Sequence, residues 1–274
     1  MKRIFKKIFG VIVTAVLLLT PIRSNAIDVD HIKIGVETVG KCYNTTFDTF
    51  NYIAFLCKHP EIGVCDKETA WAYYEIYCKP NGELAPCNLK AYMNYDQFDI
   101  DYFLSANGLI KDSGATDKEI FDYYCDLYPL YFWKSRGLTD HANALLKAWD
   151  YYWQYNLAPN GYSELEVILN YFALLPAISE YYTPDNPESN PYLWQLVTSI
   201  DGIMIYGTAN CQGYANLFLF LMDMGGYPCR TVYSDTHMWN EVLYNGFWYG
   251  IDTCWADSAP NHRSARNDWF MFTY

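Results

Sequence analysis

A nucleophilic thiol, an imidazole and a carboxylate occur in chain order in three short segments near the C-terminus. They are Asn210-Cys211-Gln212-Gly213-Tyr214-Ala215, His237-Met238-Trp239-Asn240-Glu241-Val242 and Trp248-Tyr249-Gly250-Ile251-Asp252. Side chains of these three types, brought together, can carry nucleophilic acyl transfer. The imidazole takes the thiol proton, and the carboxylate holds the ring in one tautomer. The thiolate then attacks an amide or peptide carbonyl, the imidazolium protonates the departing amine, and a thioester remains for water or a second amine to resolve.

Local sequence says how each group can be positioned. Asn210 is a good helix N-cap, and the apolar run over residues 214–224 ends at Gly225-Gly226. A helix starting here puts Cys211 in the first turn, at the positive end of the macrodipole, which favours thiolate over thiol. Unpaired N–H groups at that end can also receive a developing oxyanion. Leu217, Phe218, Leu219, Phe220, Leu221 and Met222 make the run apolar nearly all round, so the helix is expected to be central and buried.

Residues 228–233 favour a strand, and Ser234-Asp235-Thr236 breaks it, with Asp235 read as a turn former. Asn245-Gly246 is a two-residue hairpin signal between aromatic and apolar arms. That turn pairs Tyr244 with Phe247 and Leu243 with Trp248, so Asp252 falls opposite Trp239. His237 then lies two residues along on the same face, a diagonal neighbour roughly 7–8 Å from Asp252 between Cα atoms. Side chains can bridge that distance. Continuing the same ladder would set Cys254 opposite His237, but Cys254 lacks a helix N-terminus to activate it, so Cys211 is the expected nucleophile.

These segments resemble the transglutaminase-like superfamily, through C-Q-G-Y-A, G-Y-P-C-R, H-x-W-N-E-V, N-G-x-W-Y-x-I-D and the following Trp255. The likeness runs from Ser163 to the C-terminus, about 110 of the 274 residues. It implies an α+β fold with a papain/transglutaminase-like core, in which a buried helix carrying the cysteine packs on a small antiparallel sheet. It also implies roles: Cys211 as nucleophile, His237 as general base and acid, Asp252 as orienting carboxylate. Trp239 is expected to shield the site, and Gln212 or a nearby indole to add an oxyanion donor. Cys229 and Cys254 depart from the small apolar residue and the threonine more usual in relatives, and neither change removes a reacting group. Residues 123–133 resemble segments that precede this core in secreted bacterial relatives.

The rest of the chain bears on compartment and bulk. Lys2, Arg3, Lys6 and Lys7 precede an apolar stretch over residues 8–19, then Pro21 and Ser24-Asn25-Ala26, the pattern of a secretory signal over residues 1–26. Twelve residues are too few for a spanning helix, which needs about 20, so no stable membrane span is expected after its removal. Loss of that segment takes five basic groups and moves the formal charge from −12 to −17. A domain this acidic repels nucleic acid and anionic membrane surfaces. The expected setting is secreted or extracellular, with cell-surface association compatible, and the expected partner is an extracellular protein or peptide, cell-wall peptide included.

Nine cysteines less Cys211 leaves an even eight, six of them (Cys42, Cys57, Cys65, Cys78, Cys87, Cys125) in the N-terminal half. In an exported chain that predicts two or three disulfides there, with buried thiols and metal binding as rivals. No C-x₂-C pair occurs, so neither a metal nor a cofactor is expected.

The coarse organisation is a mainly helical, Cys-rich region over residues 27–160 and a catalytic domain over residues 161–274, divided near Pro159-Asn160-Gly161. Thr116-Asp117-Lys118-Glu119 and Ser163-Glu164-Leu165-Glu166 are capping boxes, and Thr139 can cap a helix carrying Leu145, Leu146, Trp149 and Trp153. The second box opens a helix with Ile168, Leu169 and Phe172 inward, running to Pro176. Residues 183–191, with three prolines, read as a surface loop. His31, His59, His141 and His262 have no comparable partner pattern and suit surface or capping roles.

Two other readings compete with an enzyme. One is a secreted binding or structural module that keeps the scaffold without the activity. The other takes the 27 tyrosines and nine tryptophans as sugar-stacking platforms, although most fall at helical spacing and suit a core.

Overall fold

A computed structural model describes residues 35–93, 100–106, 112–127, 140–156, 162–186, 188–258 and 270–273. Residues 1–26, expected to be a secretory signal, lie outside them, as do residues 128–133, Thr139, His31, His262 and Pro159-Asn160-Gly161. Strands are β1 (Gly35–Val39), β2 (Glu180–Tyr181), β3 (Thr208–Ala209), β4 (Cys229–Tyr233), β5 (Met238–Tyr244), β6 (Phe247–Ile251) and β7 (Phe270–Phe272). Helices are α1 (Tyr52–Lys58), α2 (Lys67–Tyr73), α3 (Ile100–Ala106), α4 (Asp117–Leu127), α5 (Asp140–Asn156), α6 (Glu164–Ile178), α7 (Pro191–Val197), α8 (Cys211–Gly225) and α9 (Thr253–Ser258). The fold class is α+β: an antiparallel sheet in the order β1-β4-β5-β6-β7, with helices massed against it.

Helix α8 is the axis of the molecule. Asn210 caps it, accepting from the backbone N–H of Gln212 at 3.1 Å and of Gly213 at 3.2 Å, and Gly226 closes it at φ 66°. Strands β4 and β5 pack on it, as do α5, α6 and α9. Leu217, Phe218, Phe220, Leu221 and Met222 are almost fully buried. Each such side chain contributes about 1.5–3 kcal/mol relative to exposure, so this helix dominates the core energetics.

The β5–β6 hairpin forms as its turn residues require, with Asn245 at φ 50° and Gly246 at φ 82°, the left-handed pair of a type I′ turn. Tyr244 pairs with Phe247 and Leu243 with Trp248. Both capping boxes are made: Thr116 N–H donates to Glu119 Oε2 at 2.7 Å, and Ser163 N–H to Glu166 Oε2 at 2.9 Å. Pro176 sits inside the last turn of α6, two residues before its end, so it does not stop the helix where expected. Leu169 is only half-buried, while Val167, Ile168 and Tyr171 face the core.

Strand β1 lies ahead of the helices read from Thr46 onward. It pairs antiparallel with β4, Val36 opposite Val232 and Val39 opposite Arg230, and so forms one edge of the sheet. Asp223 of α8 holds the segment that follows. Its carboxylate accepts from Lys41 N–H at 2.7 Å, from Cys42 N–H at 3.3 Å and from the Tyr92 hydroxyl. Burial pushes the Asp223 pKa up, against these donors.

The expected disulfides are a correction. Among the described residues no cysteine pair is bonded. A bridge needs two Cα atoms about 4.4–6.8 Å apart with converging side chains. Here the cysteines are distributed as small apolar fillers: Cys87 and Cys125 in the main core, Cys78 in a smaller cluster with Phe50, Phe55, Ala70, Tyr74 and Ala85. Burial raises the thiol pKa of Cys42, Cys87 and Cys229, as suits inert side chains. No helix among the described residues is long and apolar enough to cross a membrane.

Candidate active site

Cys211 is the first residue of α8, delivered by β3 and Asn210, whose N–H is fixed to Val197 O at 3.0 Å. Asn210 occupies the N–H groups of Gln212 and Gly213, which leaves the N–H of Cys211 itself outside the cap. Close packing holds this turn still: a Cβ added at Gly213 would meet Val197 O at 2.5 Å. A larger residue there would displace the sulfur.

His237 ends the break before β5, where Ser234 N–H donates to its carbonyl at 2.8 Å. Its Nε2–H donates to Asp252 Oδ2 at 2.6 Å. Asp252 is only 1% exposed and its other oxygen accepts from Trp255 N–H at 2.9 Å, so the carboxylate has one rotamer available. The second ring nitrogen, Nδ1, is left for sulfur: the Cys211 thiol and the imidazole are hydrogen-bonded. The backbone N–H of Met238 also donates to the Cys211 sulfur.

Electrostatics favour charge separation across this contact. Burial alone raises the Cys211 pKa, but the hydrogen bond and charge of His237, with the Met238 N–H, outweigh it and lower the thiol. Burial likewise lowers His237, and the hydrogen bonds to Asp252 and Cys211 overcome that and raise it to about 9. Both shifts favour the thiolate–imidazolium form of the pair over thiol and neutral ring. Such a pair can attack a carbonyl carbon and protonate the leaving nitrogen without a further base.

Of the residues expected in the site, Cys211, His237 and Asp252 are brought together. Trp239 is buried with its indole near-parallel to the imidazole, ring centroids 5.9 Å apart. Gln212 lies in the first helical turn, half-buried beside Cys211. Trp255 is nearer than Trp239: it stacks on His237 at 4.6 Å and 19°. The sequence motif includes Trp255, but hairpin register cannot place it, because it lies on α9 beyond the ladder. The pairing stops at Asn240–Ile251, and Cys254, rather than continuing opposite His237, is the second residue of α9, so against expectation it does sit at a helix start. There it is 2% exposed, and burial together with Asp252 raises its pKa. It stays a thiol.

Two ties fix this geometry to the core. Asn240 Nδ2–H donates to Ala215 O at 3.0 Å, joining β5 to α8. The Tyr214 hydroxyl donates to Asp257 Oδ2 at 2.6 Å, and Tyr181 N–H donates to the same oxygen at 2.9 Å, joining α8, α9 and β2.

Residues 173–253 match the family profile described as the transglutaminase-like superfamily. The matched stretch holds Cys211, His237 and Asp252 and stops short of Trp255. No curated protein matches the chain. A solved structure of a TGase is similar at 15% identity and a TM-score of 0.34, covering 60% of this chain and 39% of that one. The chain thus spans well under half the length of that protein.

Proposed function

We propose that the protein is a cysteine-dependent acyltransferase or protease that acts on amide or peptide bonds through a thioester, with Cys211, His237 and Asp252 as its triad. The observation that carries this reading is the hydrogen-bonded relay from Asp252 through His237 to a helix-start thiol of lowered pKa. Cys211 attacks the carbonyl, and the Cys211 N–H, with Gln212 or an indole, receives the oxyanion. His237 gives its proton to the departing amine, and the thioester forms. Water or a primary amine then enters with His237 as base, which returns free thiol. Trp239 and Trp255, both stacked near-parallel to the imidazole, shield it from water, which strengthens its charge pairing.

The secretory pattern of residues 1–26 and the strongly acidic balance support an extracellular setting and protein or peptide substrates, cell-wall peptide among them. The filled triad speaks against a non-catalytic module, which has no use for an activated thiol. Turnover of a peptide library, with and without an added primary amine and read by mass spectrometry, tests the reading. Hydrolysed or amine-exchanged products that vanish in Cys211→Ala support it, and no product from any peptide contradicts it.

A further inference from the structure

Three side chains far along the chain from the candidate active site converge on one point. His59, at the C-terminal end of α1, turns Nε2 to Glu83 Oε1 at 2.8 Å, and Cys78 Sγ lies 3.9 Å from the same nitrogen. One donor atom from each of the three lies within 4.8 Å of the other two. Cys78 is buried and the other two are half-buried, so the cluster is shielded without being sealed. The other face of the imidazole is also engaged, Nδ1 standing 2.9 Å from Glu61 Oε1.

We propose that His59, Cys78 and Glu83 bind one zinc ion, or a divalent ion of similar borderline softness, through Nε2, Sγ and a carboxylate oxygen. One sulfur, one nitrogen and one oxygen donor suit tetrahedral zinc and leave a fourth position for water; calcium and magnesium would want oxygen alone. Glu61 supplies the outer carboxylate that ligating histidines usually hold with their second nitrogen, where it fixes the tautomer and raises ligand basicity. Binding releases the Cys78 thiol proton and the proton shared between Nε2 and Glu83. Lys58 Nζ, 3.6 Å from Glu83 Oε1, does not block the ion, since it also donates to Gly225 O at 3.3 Å and lies over the Tyr227 ring at 4.8 Å. Of the three ligands, Glu83 alone lines a cavity of about 740 Å³, so the cluster is approached from its carboxylate side.

The role of the ion follows from where its ligands sit. His59 ends α1, Cys78 ends the helical turn after α2, and Glu83 lies in the loop beyond. These pieces surround the small cluster of Phe50, Phe55, Ala70, Tyr74, Cys78 and Ala85, only six buried residues. A core that small is a weak anchor by itself, and a metal bond across its rim secures it.

Cobalt titration of the chelator-treated protein tests this, read by the thiolate-to-metal charge-transfer band. The work is done in a Cys211→Ala background to silence the other cysteine–histidine pair. One cobalt per chain is expected, with the band lost in Cys78→Ser and affinity reduced about 10- to 100-fold in Glu61→Gln. No band, or a band that survives Cys78→Ser, overturns the proposal. Should Cys78→Ser fail to fold, the half-exposed Glu83→Gln serves instead. Zinc should raise the Tm of the parent by several degrees and that of Glu83→Gln by much less. An unchanged Tm in the parent overturns it equally.

Discussion

His237 and Asp252 meet at 2.6 Å just past the point where the hairpin that carries them stops pairing. Freed from the ladder, the carboxylate turns under the imidazole and is itself held by Trp255 N–H. The pair therefore acts as one unit, and in the proposed reaction its proton affinity sets the alkaline side of the activity profile. Activity should fall as pH rises through about 9, where the imidazolium loses the proton it must give to the leaving amine. The folded-state pKa lies above the ordinary 6.5, so the stabilisation that goes with it is complete below 6.5 and is lost through about 9. Asp252→Asn should move the alkaline limb to lower pH and reduce kcat by about 10³- to 10⁴-fold. A pH–rate profile of both proteins checks this.

Cys254 is the internal control for the nucleophile. Buried in α9 with a raised pKa, it should be dispensable: Cys254→Ala retains activity within about tenfold. Cys211→Ala should lose at least about 10³-fold. Trapping the thioester and mapping the acylated residue by mass spectrometry separates the two thiols directly.

Trp255 positions the imidazole by stacking and fixes Asp252 through its backbone. Trp255→Ala should lower kcat by about 10- to 100-fold with a smaller change in KM, because a misplaced general acid costs rate more than binding. Trp255→Phe keeps a ring face and should recover most of the loss. Steady-state kinetics of both variants check the split.

Asn210 serves stability and chemistry at once. Asn210→Ala removes the acceptor for two helix-start N–H groups and should cost about 1 kcal/mol, measured by urea unfolding. Asn210→Ser should restore most of it.

Strand β1 makes residues 35–39 an edge of the sheet beside the candidate site. Deleting residues up to Val39 bares the edge of β4 and should lower the unfolding midpoint and promote aggregation. Scattering and thermal melts of the shortened protein against the parent measure both.

What sequence made legible was whatever short-range signals control. The Asn210 cap, the Gly226 stop and the Asn245-Gly246 turn fix α8 and the hairpin, and with them the meeting of Cys211, His237 and Asp252. Contacts between distant parts of the chain left no local mark. Nothing within Gly35–Val39 indicates a partner at Cys229–Tyr233, and Asp223 reads as an ordinary polar residue in an apolar helix until Lys41, Cys42 and Tyr92 surround it. The approach of His59, Cys78 and Glu83 is equally non-local. Cysteine parity misled for a related reason: counts carry no geometry, and Cys78, Cys87 and Cys125 are absorbed into packing.

The most direct test of the account is the pH dependence of alkylation at Cys211, followed residue by residue with iodoacetamide in the parent and in His237→Ala. The account predicts a thiol that titrates below the ordinary cysteine range in the parent and returns to or above it once the imidazole is gone. A Cys211 that titrates as an ordinary thiol in both proteins would contradict it.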